Sequence, residues 1–410
     1  MKNVYIIDEY ASSKINGIGI YIRELIFCLK EIGTNICLIA CNHNTKTFKI
    51  EIEDGIRQMQ FPAIPGFWGQ HYSVIDKFFR LYIEDSMENI FLFNHTPCEC
   101  FVKTVRTSFP LSELAFVIHD MTWTGAMLGD KTELKKYAPN LSDCEVADRI
   151  GFLDSDILSR FDEEKRMYET VHRIVSLAPE TVELLQTVYG ISDKKISFIP
   201  NGLRDTYHNL SEKERNQLKE KLYVPLHEKV IVFAGRVKHV KGIFQVINGL
   251  KKVVKTYPDF RLIVIGSIFE VKKVMEHAGE IASKITFTGQ MHKDKLNEWY
   301  QIADMGVLAS YWEQCSYTGI EMMMHGLPVI ASDGFCVGDM FQDGVNAKVA
   351  RIGDRNHPEE FENNLDEAFL QFLQSERLCK KIGENGRRIY ESKYHIKYMK
   401  EGYRMFFNSH

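Results

Sequence analysis

The chain of 410 residues is 45% hydrophobic and 26% charged, with a formal net charge of −4. Such a length favours two or three domains with a core of useful size, and the composition is that of an ordinary globular protein. The slightly acidic balance argues against a dedicated nucleic-acid binder, which shows a basic stripe.

The opening MKNVYIIDEY interrupts its apolar run at Asp8 and Glu9, so it does not read as a signal peptide. No apolar run reaches the ~18 residues of a membrane span, and a cytoplasmic location is expected. VYIID reads as a strand, followed by a glycine-containing loop and by GIYIRELIFCLKEIG, whose apolar spacing is helical. NICLIA, NIFLFNH and LAFVIHD are further apolar runs that end in polar residues. Runs without alternation, separated by helices, point to an α/β fold with a parallel sheet buried on both faces. Between Asp120 and about Thr170 the chain is acid-leaning and poor in strand-like runs, which fits solvated surface helices or an insertion that shapes an acceptor pocket. HRIVSLAPETVELLQTVYG and KISFIPNGL return to strand, helix and strand, and the polar stretch over residues 203–228 reads as a linker. Beyond it the rhythm restarts with KVIVFAGR, FRLIVIG, ITFTG, MGVLAS and LPVIASD. The expected architecture is two doubly wound Rossmann-like domains facing across a cleft, with ligands beyond the carboxyl ends of the strands.

Nine cysteines stand singly apart from Cys98 and Cys100, and the odd count reads as reduced thiols. His95, Cys98 and Cys100 lack a second cluster at ligand spacing, so the plainer reading is a βα loop with buried cysteines rather than a metal site.

Four stretches carry residues suited to chemistry. Asn16, Gly17, Ile18 and Gly19 sit between a strand and a helix, where glycines let backbone amides approach an anion, although two glycines also fit a simple turn. In FAGRVKHVKG, Arg236 follows a strand end and Lys241 opens the next helix, a placement suited to a diphosphate or to solvated charge. His119 ends a buried strand. Glu313 lies in a loop after MGVLAS, and Glu321 lies on a helix expected to begin around Cys315–Thr318 and to end at Gly326 and Pro328. Eight helical steps would separate the two glutamates by about 12 Å. Paired hydrolytic carboxylates stand about 5–9.5 Å apart, so the spacing suits two acceptors gripping different hydroxyls of one extended ligand.

Taken in order, Gly17 and Gly19, His119, Ile199-Pro200-Asn201-Gly202, Gly235-Arg236 with Lys241-Gly242, and Glu313 and Glu321 followed by Gly326-Leu-Pro-Val-Ile-Ala-Ser resemble family 4 of the retaining glycosyltransferases, the glycosyl transferases group 1 of the GT-B fold. The resemblance covers nearly the whole chain. It implies a donor domain over residues 204–385, an acceptor-side domain over 1–203, and a C-terminal helix, about 386–410, packed back on the latter. It also implies that Arg236 and Lys241 bind the donor diphosphate, that Glu321 takes the ribose hydroxyls and that Glu313 contacts the transferred sugar. Backbone amides of Cys315, Ser316, Tyr317 and Thr318 would lie near the sugar and phosphate, His119 by the sugar and acceptor, the Gly17–Gly19 loop over the phosphates, and Gln290 and Met291 at the base. The co-substrate would be a nucleotide-diphosphate sugar, with no metal and no other cofactor. Gln314, Cys315, Ser316 and Tyr317 replace the Gly-Phe-Gly common after the first glutamate, which leaves the donor sugar open, and Ser176-Leu-Ala-Pro-Glu180 also departs from the family turn. The alternatives are an epimerase of the same fold or a sugar-nucleotide-binding protein without turnover. The acceptor is open among glycan, peptide, lipid-linked sugar and small molecule. Lys77-Phe78-Phe79-Arg80 with Lys103 and Arg106 reads as a solvated face or as a weak membrane-docking patch.

Overall fold

In the computed structural model the described residues are 1–8, 17–64, 68–94, 98–137, 152–267 and 271–408. The chain divides into two compact units, Met1–Gly202 with Ile396–His410, and Leu203–His395. Each is an α/β body.

The first unit is built on an eight-stranded sheet in the order β3-β4-β2-β1-β5-β6-β7-β8. Its strands are β1 (Asn3–Asp8), β2 (Asn35–His43), β3 (Lys49–Glu53), β4 (Ile56–Pro62), β5 (Asn89–Asn94), β6 (Glu113–Val117), β7 (Arg173–Ser176) and β8 (Ile196–Phe198). All neighbours run parallel except the β3–β4 pair at one edge. Every residue of β5 is buried, the mark of a central strand covered on both faces. Phe79, Phe91, Phe101 and Phe109 form an aromatic core beneath it, with ring centroids 5.0–6.5 Å apart.

The second unit holds a six-stranded, all-parallel sheet in the order β11-β10-β9-β12-β13-β14. Its strands are β9 (Lys229–Ala234), β10 (Phe260–Ile265), β11 (Ile285–Gly289), β12 (Met305–Leu308), β13 (Val329–Ser332) and β14 (Lys348–Ala350). The runs KVIVFA, FRLIVI, MGVL and VIAS form these strands because their β-branched and apolar side chains are buried almost without interruption.

Three local expectations are revised. The segment Gly17–Ile32 is helical from its first residue, so Gly17 opens the helix and Gly19 lies in its first turn rather than in a loop. Glycine is not sterically required there, since a helical backbone needs no positive φ, and its cost is the conformational entropy it loses on becoming helical; Asn16 lies outside the described residues. The polar stretch 203–228 is not a bare linker. It contains the helix Glu212–Lys221, started by a capping box in which Ser211 and Glu214 satisfy each other's backbone amides. At the C-terminal end there are two helices, Glu376–Ile389 and Ile396–Asn408, separated by a π-helical turn at Tyr390–Tyr394. Only the last of them belongs to the first unit. There it packs along the helix Gly17–Ile32, with Tyr403 and Tyr21 joined through their hydroxyls.

Candidate functional site

The richest cluster of expected residues lies in the second unit, at the carboxyl ends of β11, β10, β9 and β12. Three of these strands end at, or one residue before, a glycine with positive φ: Gly235 at 147°, Gly266 at 145° and Gly289 at 73°. Their backbones are laced together, Gly235 N donating to Ile265 O at 2.8 Å and Gly266 N to Gly289 O at 3.0 Å. A Cβ on Gly266 would stand 1.8 Å from Gly235 O, so no larger residue fits there. The strand ends thus form a close-set ledge of backbone.

Arg236 projects from this ledge and is exposed. Among the described residues its guanidinium has no hydrogen-bond or ion-pair partner. Lys241 lies on the turn just before the helix Ile243–Val253, where Gly242, at φ 72°, passes so close to Ala309 that a Cβ would meet its carbonyl oxygen at 2.2 Å. This close approach carries Lys241 across to the β12 loop. Lys241 Nζ donates to Glu313 Oε1 at 2.6 Å, and Ser310 Oγ donates to the same oxygen at 2.7 Å. Both charged side chains remain about one-sixth exposed, at 17% and 16%. The loop bearing Glu313 is itself fixed, with Glu313 N donating to Phe335 O at 3.0 Å and Phe335 N to Tyr311 O at 3.1 Å.

The two glutamates occupy different environments. The helix starts at Tyr317 rather than running from Glu313, with Ser316 as its N-cap: Ser316 Oγ accepts from Gly319 N at 3.3 Å. Glu321 is 3% exposed and accepts a hydrogen bond from the buried Tyr300 hydroxyl at 3.0 Å. Burial, followed by the Glu321 charge, pushes the Tyr300 phenol well above its ordinary range. At the helix end His325 donates from Nδ1 to Glu321 O at 2.9 Å, and burial lowers the imidazole to about 4. Of the expected amides, that of Ser316 already donates to Met340 Sδ at 3.2 Å, and Thr318 Oγ1 reaches Ala234 O at 3.4 Å. Cys315, Ser316 and Tyr317 are buried. Gln290 is exposed and Met291 half-buried, directly after Gly289 at the end of β11.

His119 stands in the first unit, immediately beyond β6. Its Nε2 lies 3.1 Å from Asn94 Oδ1 at the end of β5, and its ring meets Tyr21 edge-on at 4.5 Å. The turn that follows is anchored by a residue the sequence reading passed over. Glu164, fully buried, accepts from Thr122 N at 3.1 Å, Thr122 Oγ1 at 2.9 Å, Tyr168 OH at 3.0 Å and Tyr189 OH at 2.6 Å. Burial pushes its carboxyl up to about 7, against the pull of these four donors. Asn94 could have been found by the rule that singled out His119, a polar residue closing a buried apolar run. Glu164 and Tyr300 gave no such signal, because Thr122, Tyr189 and Glu321, which they meet, are far away in sequence. A hollow of about 430 Å³ lies at the opposite, amino-terminal end of the first sheet, lined by Tyr5, Cys37 and Arg57, and contains none of the expected residues.

Comparison with known proteins bears on these strand ends. Residues 214–389 match the family described as Glycosyl transferases group 1. The matched residues make up most of the second unit, which is therefore similar to the group 1 glycosyltransferases. An uncharacterized glycosyltransferase of Methanocaldococcus jannaschii is 25% identical over 226 residues, 53% of this chain and 57% of the relative. The chain spans about half the length of the first curated relatives it matches. Among solved structures, sucrose-phosphate synthase of Thermosynechococcus elongatus superposes with a TM-score of 0.76 at 17% identity, covering 99% of both chains. Anabaena HepE in complex with UDP-glucose gives 0.70 at 14% identity, covering 100% of both. These likenesses establish the fold: the chain is a GT-B protein, with two parallel-sheet, Rossmann-like bodies.

Proposed function

We propose that this chain is a retaining glycosyltransferase of group 1 that moves a sugar from a nucleotide-diphosphate sugar to an acceptor of the glycan, peptide or lipid-linked sugar class. The observation that carries the reading is the Lys241–Glu313 pair at 2.6 Å together with the exposed Arg236, all at the carboxyl ends of adjacent strands. The pair sets a cation and a carboxylate side by side. A diphosphate oxygen is drawn to the ammonium and the guanidinium, and sugar hydroxyls donate to the carboxylate. HepE, which shares the fold, is known with UDP-glucose bound, and this supports a sugar nucleotide as the ligand class.

In the proposed reaction the bond between the anomeric carbon and the diphosphate oxygen breaks through an oxocarbenium-like state. The acceptor oxygen bonds to the same face of that carbon, and its proton passes to the departing phosphate. Arg236 and Lys241 meet the negative charge that grows on the leaving group, and such fixed charge is worth most in a water-poor site. Cationic side chains and backbone amides supply the positive charge in this scheme, which includes no metal. Gln290 and Met291 are assigned to the base and Glu321 to the ribose. The Glu321 assignment requires the ribose to compete with the Tyr300 hydroxyl for a carboxylate that is hardly exposed. His119 and the glycines Gly17 and Gly19 keep the roles given by the resemblance, on the sugar, acceptor and phosphate side.

Thermal-shift screening against a panel of sugar nucleotides tests the proposal, because a ligand that binds only the folded chain raises its melting temperature. One donor is expected to stand apart, and Arg236→Ala and Lys241→Ala are each expected to weaken its binding about 10- to 100-fold, the loss of one charge-assisted contact of ~1.5–3 kcal/mol. Full binding by both variants would remove the assignment. Alteration of free donor without any acceptor would point to epimerisation instead.

A further inference from the structure

Cys98 and Cys100 were expected to be buried in a βα loop, yet the structure turns them towards the surface, Cys100 exposed and Cys98 half-buried. Their sulfurs lie 3.6 Å apart. They occupy the N-cap and the second position of the ten-residue helix Glu99–Ser108, which follows β5. Cys28, Cys37, Cys41, Cys315 and Cys336 are buried and Cys379 is half-buried, so among the described cysteines Cys100 stands out in access and the pair in proximity.

We propose that Cys98 and Cys100 form a redox-active dithiol, a modification site that closes to an intrachain disulfide on exchange with a small-molecule disulfide. The helix start supplies the electrostatics. Its first amides have no intrahelical acceptors, and the Cys98 side chain makes no cap hydrogen bond, so the partial positive charge of the helix start stands next to both sulfurs. Glu99, the one carboxylate between them, is drawn away by two cations, Lys103 at 2.5 Å and Arg166 at 3.0 Å. It therefore does not set an uncompensated negative charge beside a thiolate.

The exposed Cys100 is the attacking group. Its thiolate bonds to one sulfur of the small disulfide and releases one thiolate. The neighbouring Cys98 thiolate then attacks the Cys100 sulfur, forms the intrachain bond and releases the second thiolate. Two cysteine thiols lose two protons and two electrons, and the external disulfide is reduced to two thiols. The 3.6 Å separation makes the second step intramolecular between preplaced groups, so the mixed disulfide should not accumulate.

The test treats the full chain with oxidised glutathione, alkylates the remaining thiols and analyses tryptic peptides by mass spectrometry. Cleavage after Arg80 and Lys103 leaves Cys98 and Cys100 in a single peptide with no other cysteine. That peptide is expected to lose both alkyl labels and to be lighter than the dithiol form by two hydrogen atoms, with dithiothreitol restoring both labels. In Cys98→Ser the glutathione adduct on Cys100 is expected to persist, because nothing resolves it. The proposal is overturned if the wild-type peptide carries two alkyl labels after treatment, or if it keeps a glutathione adduct as the Cys98→Ser peptide does. The readout does not depend on transfer activity, so its failure and the failure of the proposed function are separate.

Discussion

Gly266 and Gly235 face the same requirement for different reasons. A methyl group on Gly235 would meet nothing within 4 Å, but the backbone there has φ 147°, which only glycine adopts without strain. At Gly266 the same strain is joined by a clash with backbone that has nowhere to move. Gly266→Ala is therefore expected to destabilise the second unit by about 3 kcal/mol or more, and Gly235→Ala by roughly 1–3 kcal/mol. The denaturation midpoints of the two variants compare these values directly. Glu164 makes a prediction with a definite sign. Its folded-state value of about 7 lies above the ordinary 4.5, so between those pH values the native chain holds a proton that the unfolded chain has released. Stability from this residue is then highest below about pH 4.5 and declines as the pH rises to about 7. Glu164→Gln is expected to flatten that part of the stability curve, as read from urea midpoints measured across the range.

At the scale of elements, most strands were legible because a parallel sheet buried on both faces leaves an uninterrupted apolar run, as in NIFLFN or KVIVFA. The β3–β4 hairpin was not, because KIEIE is a wholly exposed edge strand and its alternating residues carry no burial signal. Its turn was nevertheless written in the chain: Asp54 and Gly55 both have positive φ, 51° and 73°, and Asp-Gly is a strong two-residue hairpin signal. The helix Glu212–Lys221 was hidden in a stretch read as linker because it has almost no apolar face, yet Ser211 and Glu214 stand at the spacing of a capping box. Ser211→Ala should cost about 1 kcal/mol of local helix stability, measurable as faster amide exchange over residues 212–221. Motif spacing also led to Arg236, Lys241 and Glu313, because residues just past strand ends are positioned by the strands themselves. The Lys241–Glu313 hydrogen bond was not legible, since it depends on how closely Gly242 passes Ala309.

For the whole molecule, the repeated strand–helix rhythm disclosed two sheets, but not the point at which the last helix leaves one unit for the other. That depends on packing between distant residues. Gly402 runs so close to Ile199 that a Cβ would lie 2.8 Å from its side chain, and Tyr403 is fully buried beside Tyr21. Arg173 ties β7 to this helix through the carbonyl of Phe406 while pairing with Glu113. A chain ending at His395 is therefore expected to lose protection from hydrogen exchange throughout residues 1–202, with the second unit's core strands still protected.

The return of residues 396–408 to a body begun at residue 1 also sets an order of events during synthesis. The ribosome delivers the first sheet early, but the helix that covers its open flank only after all of Leu203–His395 has emerged. At ordinary elongation rates that interval is on the order of ten seconds. Throughout it the nascent chain shows bare aromatic surface around Tyr21 and Ile199, a stretch of time in which a chaperone has something to hold and the later-made lobe can be finished first.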